Sequence, residues 1–208
     1  MDEEEEGGTA IRDRILAGVD RLFYAQGIKS VGVDAIAADL GISKKTLYRH
    51  FPSKDDLVIG YLRGRFQPLP ETSTKPPAEQ ILANLESIAR SLTSAKNYRG
   101  CAFLNVLAEF GSEDSELREL AVTYKESRRL WYRDLLSQLD VDDPDTLATQ
   151  LALLVDGAYA AVLIHQDPGM VRPAIAAART LLKAAGVAIS AGEAKPATVG
   201  AVGRKGKK

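Results

Sequence analysis

Val33-Asp-Ala-Ile-Ala-Ala-Asp-Leu-Gly-Ile-Ser-Lys-Lys-Thr-Leu-Tyr-Arg-His-Phe51 reads as two short helices folded about a glycine corner. Ile36 and Leu40, four residues apart, give the first helix one inward face, and Ala37 between them is small enough for a second helix to approach closely. Gly41 ends that helix where the chain must turn through a left-handed conformation, which glycine adopts without a Cβ penalty. Ile42 then fills the space between the helices. Ser43 is an N-cap, and the helix it opens carries Leu47 and Phe51 inward, again four apart. Two short helices with this glycine corner have the spacing of a helix-turn-helix.

What the second helix turns outward decides what the motif does. Lys44, Lys45, Thr46, Tyr48, Arg49 and His50 supply cations, a hydroxyl, a phenol and an imidazole, groups suited to phosphates and to base edges in the major groove. Lys54 stands where a further helix begins, and a helix N-terminus joined by a cation is a phosphate clamp. The net charge of −1 argues against nucleic acid only until its distribution is read: five of the 28 acidic residues fall within the first six positions, whereas Ser43 to Lys54 contains none. A charged face on a helix hairpin usually means no more than a solvated surface. Here the spacing, the glycine corner, the cap and the acid-free outer face coincide, and the expected partner is double-stranded DNA.

Ile36-Ala37, Gly41-Ile-Ser and Thr46-Leu-Tyr-Arg-His-Phe, followed by Ser53-Lys-Asp-Asp-Leu57, resemble the signature of tetracycline-repressor (TetR/AcrR) family regulators over residues 10 to 58. The resemblance implies a three-helix DNA-binding head, a larger helical body for ligand binding and dimerisation, and repression relieved by a small-molecule inducer. It also implies that Lys44, Lys45, Thr46, Tyr48, His50 and Lys54 stand at DNA-contacting positions. Two residues depart from the pattern. Gly32 stands where the family commonly has a serine or threonine cap that touches phosphate, and Asp34 suits the helix dipole but repels a nearby phosphate. Both shift the expected grip toward the second helix.

The rest of the chain reads as all-α, since apolar residues recur at helical spacing and no window alternates as a half-buried strand does. A first helix is expected from Thr9 to Gln26 and another from Ser53 to about Phe66; the prolines between Gln67 and Pro77 break the pattern. Five more follow: Ala78 to Ala95, Gly100 to Phe110, Ser115 to Leu139, Pro144 to His165 and Pro168 to Ala185. The expected organisation is a disordered acidic arm (1–8), a helix-turn-helix DNA-binding domain (9–52), a helical regulatory and dimerisation domain (53–190) and a disordered basic tail (191–208).

The segment Arg99-Gly-Cys-Ala-Phe-Leu-Asn-Val-Leu-Ala-Glu-Phe110 resembles one found in a subset of these regulators. Phe103, Phe110, Trp131 and Tyr159 are the candidate ligand-binding residues, as apolar pocket walls, although each taken singly fits an ordinary core position equally well. Leu147 to Ile164 is apolar over most of its circumference, and the next helix carries Ala174, Ala177, Ala178 and Leu181. Together they fit the two-fold four-helix interface of a homodimer, or else the core of a single chain.

With 45% hydrophobic and 26% charged residues the composition is that of a globular protein. No apolar run reaches the roughly 18 residues of a membrane span, and the acidic start is unlike a secretory signal, so a cytoplasmic location without membrane partners is expected. Cys101, the single cysteine, is read as a small core residue, and His165 as a helix-end residue. No phosphate-cradling glycine loop, catalytic triad order or paired-histidine metal motif occurs, so neither enzymatic chemistry nor a cofactor or metal is expected.

Overall fold

The computed structural model describes residues 3–66, 69, 74–94, 98–111 and 116–189. Among them all regular structure is helical: α1 (Glu3–Gln26), α2 (Val33–Leu40), α3 (Lys44–His50), α4 (Lys54–Gly64), α5 (Pro77–Ser94), α6 (Ala102–Phe110), α7 (Glu116–Leu136), α8 (Pro144–His165) and α9 (Val171–Ala184), with a short 3₁₀ turn at Pro168–Met170 before α9. Ser53 starts α4 through a full capping box, its hydroxyl accepting from the Asp56 amide while the Asp56 carboxylate accepts from the Ser53 amide. Asp143 caps α8 by accepting from the Thr146 amide, with Pro144 in the first turn where its missing N–H costs nothing.

The first helix departs from the expected boundary. It begins at Glu3, so most of the stretch expected to be a disordered arm forms its opening turns. The physical reason is favourable charge placement, since Glu3 to Glu6 lie at the positive end of the helix dipole. The basic tail from 191 to 208 and most of the proline-rich stretch after Phe66 lie outside the described residues.

Two apolar clusters organise the packing. One holds Ile15, Val19, Leu22 and Phe23 of α1, Ile36 of α2, Leu47 of α3, Leu57 to Leu62 of α4, then Phe103 and Val106 of α6 and Leu117, Ala121 and Tyr124 of α7. The other joins α5, the second half of α7, α8 and α9 around Tyr132, Leu136, Leu151 and Leu182. The three helices of the head are therefore not a detached unit: α4, α6 and the start of α7 complete their core. Tyr159 of α8 packs against both clusters and marks the seam between them.

Polar residues such as Thr149, Gln150 and Asp156 interrupt every apolar run of α8, although an 18-residue window of it reaches a mean hydropathy of 1.8, and the helix is long and apolar enough to cross a membrane by length and composition alone. Its inner face supplies the second cluster. Its outer face exposes Leu153 and Ile164, 65% and 73% accessible, with Gly157 and Ala160 exposed between them.

Candidate DNA-reading face and the junction behind it

The helix-turn-helix forms as its sequence dictates. Gly41 adopts φ 63°, ψ 34°, and Ile42 donates its amide to the Ala37 carbonyl to close the corner. Ser43 caps α3, its Oγ accepting from the Thr46 amide at 3.0 Å and lying 2.9 Å from the Thr46 hydroxyl. Ile36, Leu47 and Phe51 are buried. Gly32 precedes α2 without any side-chain cap, as its lack of a hydroxyl requires.

Of the seven residues expected to meet DNA, Lys44, Lys45, Tyr48 and Arg49 are exposed, while Thr46, His50 and Lys54 are half-buried. Lys45 and Arg49 project opposite Leu47, given about 100° of rotation per residue. Lys44 is paired with Asp34 across the two motif helices, which neutralises the carboxylate whose repulsion the sequence raised. Thr46 is tied to its own cap. His50 is more enclosed than an outward position implies: its Nε2 is buried with no hydrogen-bond partner, and its carbonyl accepts from Arg12 at 3.4 Å.

Helix α1 holds this motif from behind with arginines that local spacing does not reveal. Arg12 lies 4.4 Å from the centre of the Phe51 ring, Arg14 donates to the Leu40 carbonyl at 3.3 Å, and Arg21 pairs with Asp39 of α2. Gly18 allows the close approach: a Cβ there would stand 2.5 Å from Leu40 Cδ2. Arg65, at the end of α4, grips Asp20 of α1 with two bonds of 2.5 and 2.9 Å and lies over the Tyr24 ring. Burial works against the charge of Arg65, but its bond to Asp20 and the neighbouring Tyr61 outweigh it, and its pKa is raised.

The far end of α1 is strapped to the body. The Tyr24 hydroxyl donates to the Gly100 carbonyl and accepts from the Arg99 amide, both at 3.0 Å. The Glu109 carboxylate of α6 accepts from the Ile28 and Lys29 amides at 3.1 and 2.8 Å, holding the turn that leads into α2. Between these straps lies a cavity of about 450 Å³ walled by Phe23, Tyr24, Tyr61, Tyr98, Asn105 and Glu109, among others. Burial pushes the Tyr61 and Tyr98 phenols well above their ordinary range.

The four aromatic residues expected to line a ligand pocket are dispersed, and none of them walls this cavity. Phe103 is buried and stacked face to face on Tyr124, with ring centres 3.7 Å apart. Phe110, ending α6, sits under the Lys29 ammonium, 5.0 Å from it. Trp131 packs on the second cluster beside Tyr132, and Tyr159 lies at the seam. Cys101 is buried at the N-cap of α6, and His165 is exposed in the last turn of α8. Among the described residues no group of His, Cys, Asp and Glu is arranged to hold a metal ion.

Residues 15–60 match the profile described as bacterial regulatory proteins, tetR family, and residues 77–177 match that of the LmrA/YxaF-like transcriptional regulator C-terminal domain. A crystal structure of a TetR-family transcriptional regulator from Streptomyces coelicolor is 31% identical and superposes with a TM-score of 0.75, covering 84% of this chain and 95% of that one. The chain belongs to the TetR family of transcriptional regulators. Other relatives of this TetR-family chain include the HTH-type transcriptional regulator YjdC of Escherichia coli, 26% identical over 83% of this chain and 93% of that protein. The HTH-type transcriptional regulator LmrA of Bacillus subtilis is 32% identical over 55% of this chain and 65% of its own length. This TetR-family protein is accordingly a sequence-specific DNA-binding regulator.

Proposed function

We propose that the protein is a homodimeric repressor that holds a palindromic operator with paired α3 helices and releases it when a small apolar or aromatic inducer binds the body. The observation that carries the DNA-reading part is the outward face of α3. Lys45, Tyr48 and Arg49 are exposed on a helix fixed by its cap, its buried Leu47 and the arginines of α1. Lys54 and the N-terminus of α4 stand beside it to hold a phosphate, Lys44 contributes less because Asp34 shares it, and Thr46 and His50 complete the contact surface.

Dimerisation is supported by the outer face of α8. Leu153, Gly157, Ala160 and Ile164 follow one another at intervals of four, three and four residues, the spacing of a seam between helices. An apolar stripe of this kind costs free energy in water and gains it against a second copy. Release is supported by the straps at the head–body junction, because any body movement carried by Glu109 or Gly100 reaches α1 and the turn before α2. The proposed setting is the cytoplasm, where the DNA is.

Selection of bound fragments from the source genome tests the reading. A near-palindromic site is expected, with Lys45→Ala and Tyr48→Ala variants binding it more weakly. Equal binding by both variants would remove α3 as the reading helix.

A further inference from the structure

Arg128 of α7 is the one charged residue in the core among the described residues, 6% accessible. One of its terminal nitrogens donates to the Tyr124 hydroxyl at 2.9 Å, and its guanidinium lies near the Tyr159 hydroxyl. Its Nε–H is fully enclosed and has no partner. Among the described residues no carboxylate is paired with it, and the nearby acids Asp156 and Glu126 are taken by Lys125 and Arg129. A guanidinium is always charged, and burying it without an anion or a full set of acceptors is costly, so its enclosed Nε–H is a donor that an anion would satisfy. Burial opposes its charge, the three phenols of Tyr124, Tyr159 and Tyr132 outweigh that effect, and its pKa is raised.

The position matters as much as the charge. Arg128 lies near Tyr159, the residue that packs on both apolar clusters, and so stands at the seam between them. Tyr124, its hydrogen-bond partner, is the ring on which Phe103 of α6 stacks and against which Phe66, at the end of α4, makes an edge contact at 4.7 Å. A ligand that takes the place of Tyr124 on the guanidinium disturbs the ring that joins α4, α6 and α7.

We infer that Arg128 is the anchor for the inducer's anionic group, and that the inducer is a small organic carboxylate whose apolar body enters the seam between α7 and α8. The carboxylate accepts from the free Nε–H and an adjacent terminal N–H in the two-bond fork that guanidinium and carboxylate form. The Tyr124 bond is given up in exchange. This rests on the proposed release by ligand, and adds the ligand's class and its contact.

The test compares 1-naphthoate and decanoate with their neutral amides on the full-length dimer, reading affinity by calorimetry and DNA release by fluorescence anisotropy. At least one carboxylate is expected to bind about tenfold or more tightly than its amide. Arg128→Met should lose that preference and, because it also removes the Tyr124 bond, should bind DNA more weakly without any ligand, whereas Arg128→Lys should retain part of the preference. The parent's arginine Nε–H NMR spectrum needs no variant: the resonance most protected from exchange must shift with the carboxylate and not with the amide, so the test survives if the variants fail to fold. Equal binding of acids and amides, or a protected resonance that does not move, overturns the proposal. Neutral compounds that release DNA would overturn the anionic class and leave release standing. A carboxylate that binds at Arg128 without altering DNA affinity would keep the site and remove the release mechanism.

Discussion

Asp34 and Lys44 neutralise one another across the helix-turn-helix, so the two lysines that open α3 are not equivalent. Exposed ion pairs contribute little to stability, so the consequence belongs to binding. Each lysine that meets a phosphate releases counterions and adds about 0.9 to the slope of log affinity against log salt. Lys45→Ala and Lys54→Ala should each flatten that slope by about this amount per operator half, whereas Lys44→Ala should flatten it by less. Asp34→Asn removes a negative charge near the backbone and frees Lys44, so operator affinity should rise a few-fold at low salt, the gain shrinking as salt screens it. Titrations at several salt concentrations read both. Unchanged affinity in Asp34→Asn would mean that the carboxylate lies away from the phosphates. A second prediction concerns the strap: Glu109→Ala leaves the Ile28 and Lys29 amides without their acceptor and should cost on the order of 1 kcal/mol in thermal unfolding.

At the scale of elements, the corner and the caps are where single changes act most cleanly. Gly41 sits at φ 63°, and nothing crowds the place where a Cβ would stand, so Gly41→Ala should cost only the left-handed backbone penalty of about 1–2 kcal/mol, measured by denaturant unfolding. The α8 cap gives a pH dependence. Hydrogen bonds to Thr146 hold the Asp143 carboxyl below its usual range, and the bond to Arg129 does the same for Glu126. Groups depressed on folding stabilise above their unfolded values and lose that contribution as pH falls through the folded ones. The melting temperature should therefore drop on acidification below the ordinary carboxylate range, and Asp143→Asn, which keeps a cap acceptor but cannot titrate, should drop less. These same elements were legible in the sequence because their signals are local: the Gly41 corner, the Ser43 and Ser53 caps and the i, i+4 pairs of α2 and α3 each need only a few neighbouring residues. Arg12 beneath Phe51, Glu109 beneath Ile28 and the unpaired Arg128 were not legible. They depend on residues brought together from dozens of positions apart, or on a missing partner that no spacing announces. The dispersal of Phe103, Phe110, Trp131 and Tyr159 was not legible for the related reason that helical periodicity tells which face is buried and not which other helix it meets.

For the whole molecule, the deciding question is whether the outer face of α8 meets a second copy. Gly157 lies at the middle of the Leu153 to Ile164 stripe, and apart from its own neighbours and the backbone of its own helix nothing lies within 4 Å of where a Cβ would stand. Within one chain a larger residue is therefore free of clashes, and replacing a mid-helix glycine gains helix propensity. In a dimer the same position lies where two helices approach, so a charged side chain there is buried unpaired or forces the helices apart. Gly157→Glu should thus keep the helical spectrum and the monomer's stability while halving the sedimentation mass at micromolar concentration. Paired heads should engage half-sites about 34–36 Å apart. Separating them removes half of the neutralised phosphates, so the monomeric variant should bind a single half-site as well as the full operator, with about half the salt slope of the parent. A variant that unfolds would place α8 in an intrachain contact. A parent already sedimenting as one chain would leave the apolar stripe without its second copy and the palindromic operator without a cause.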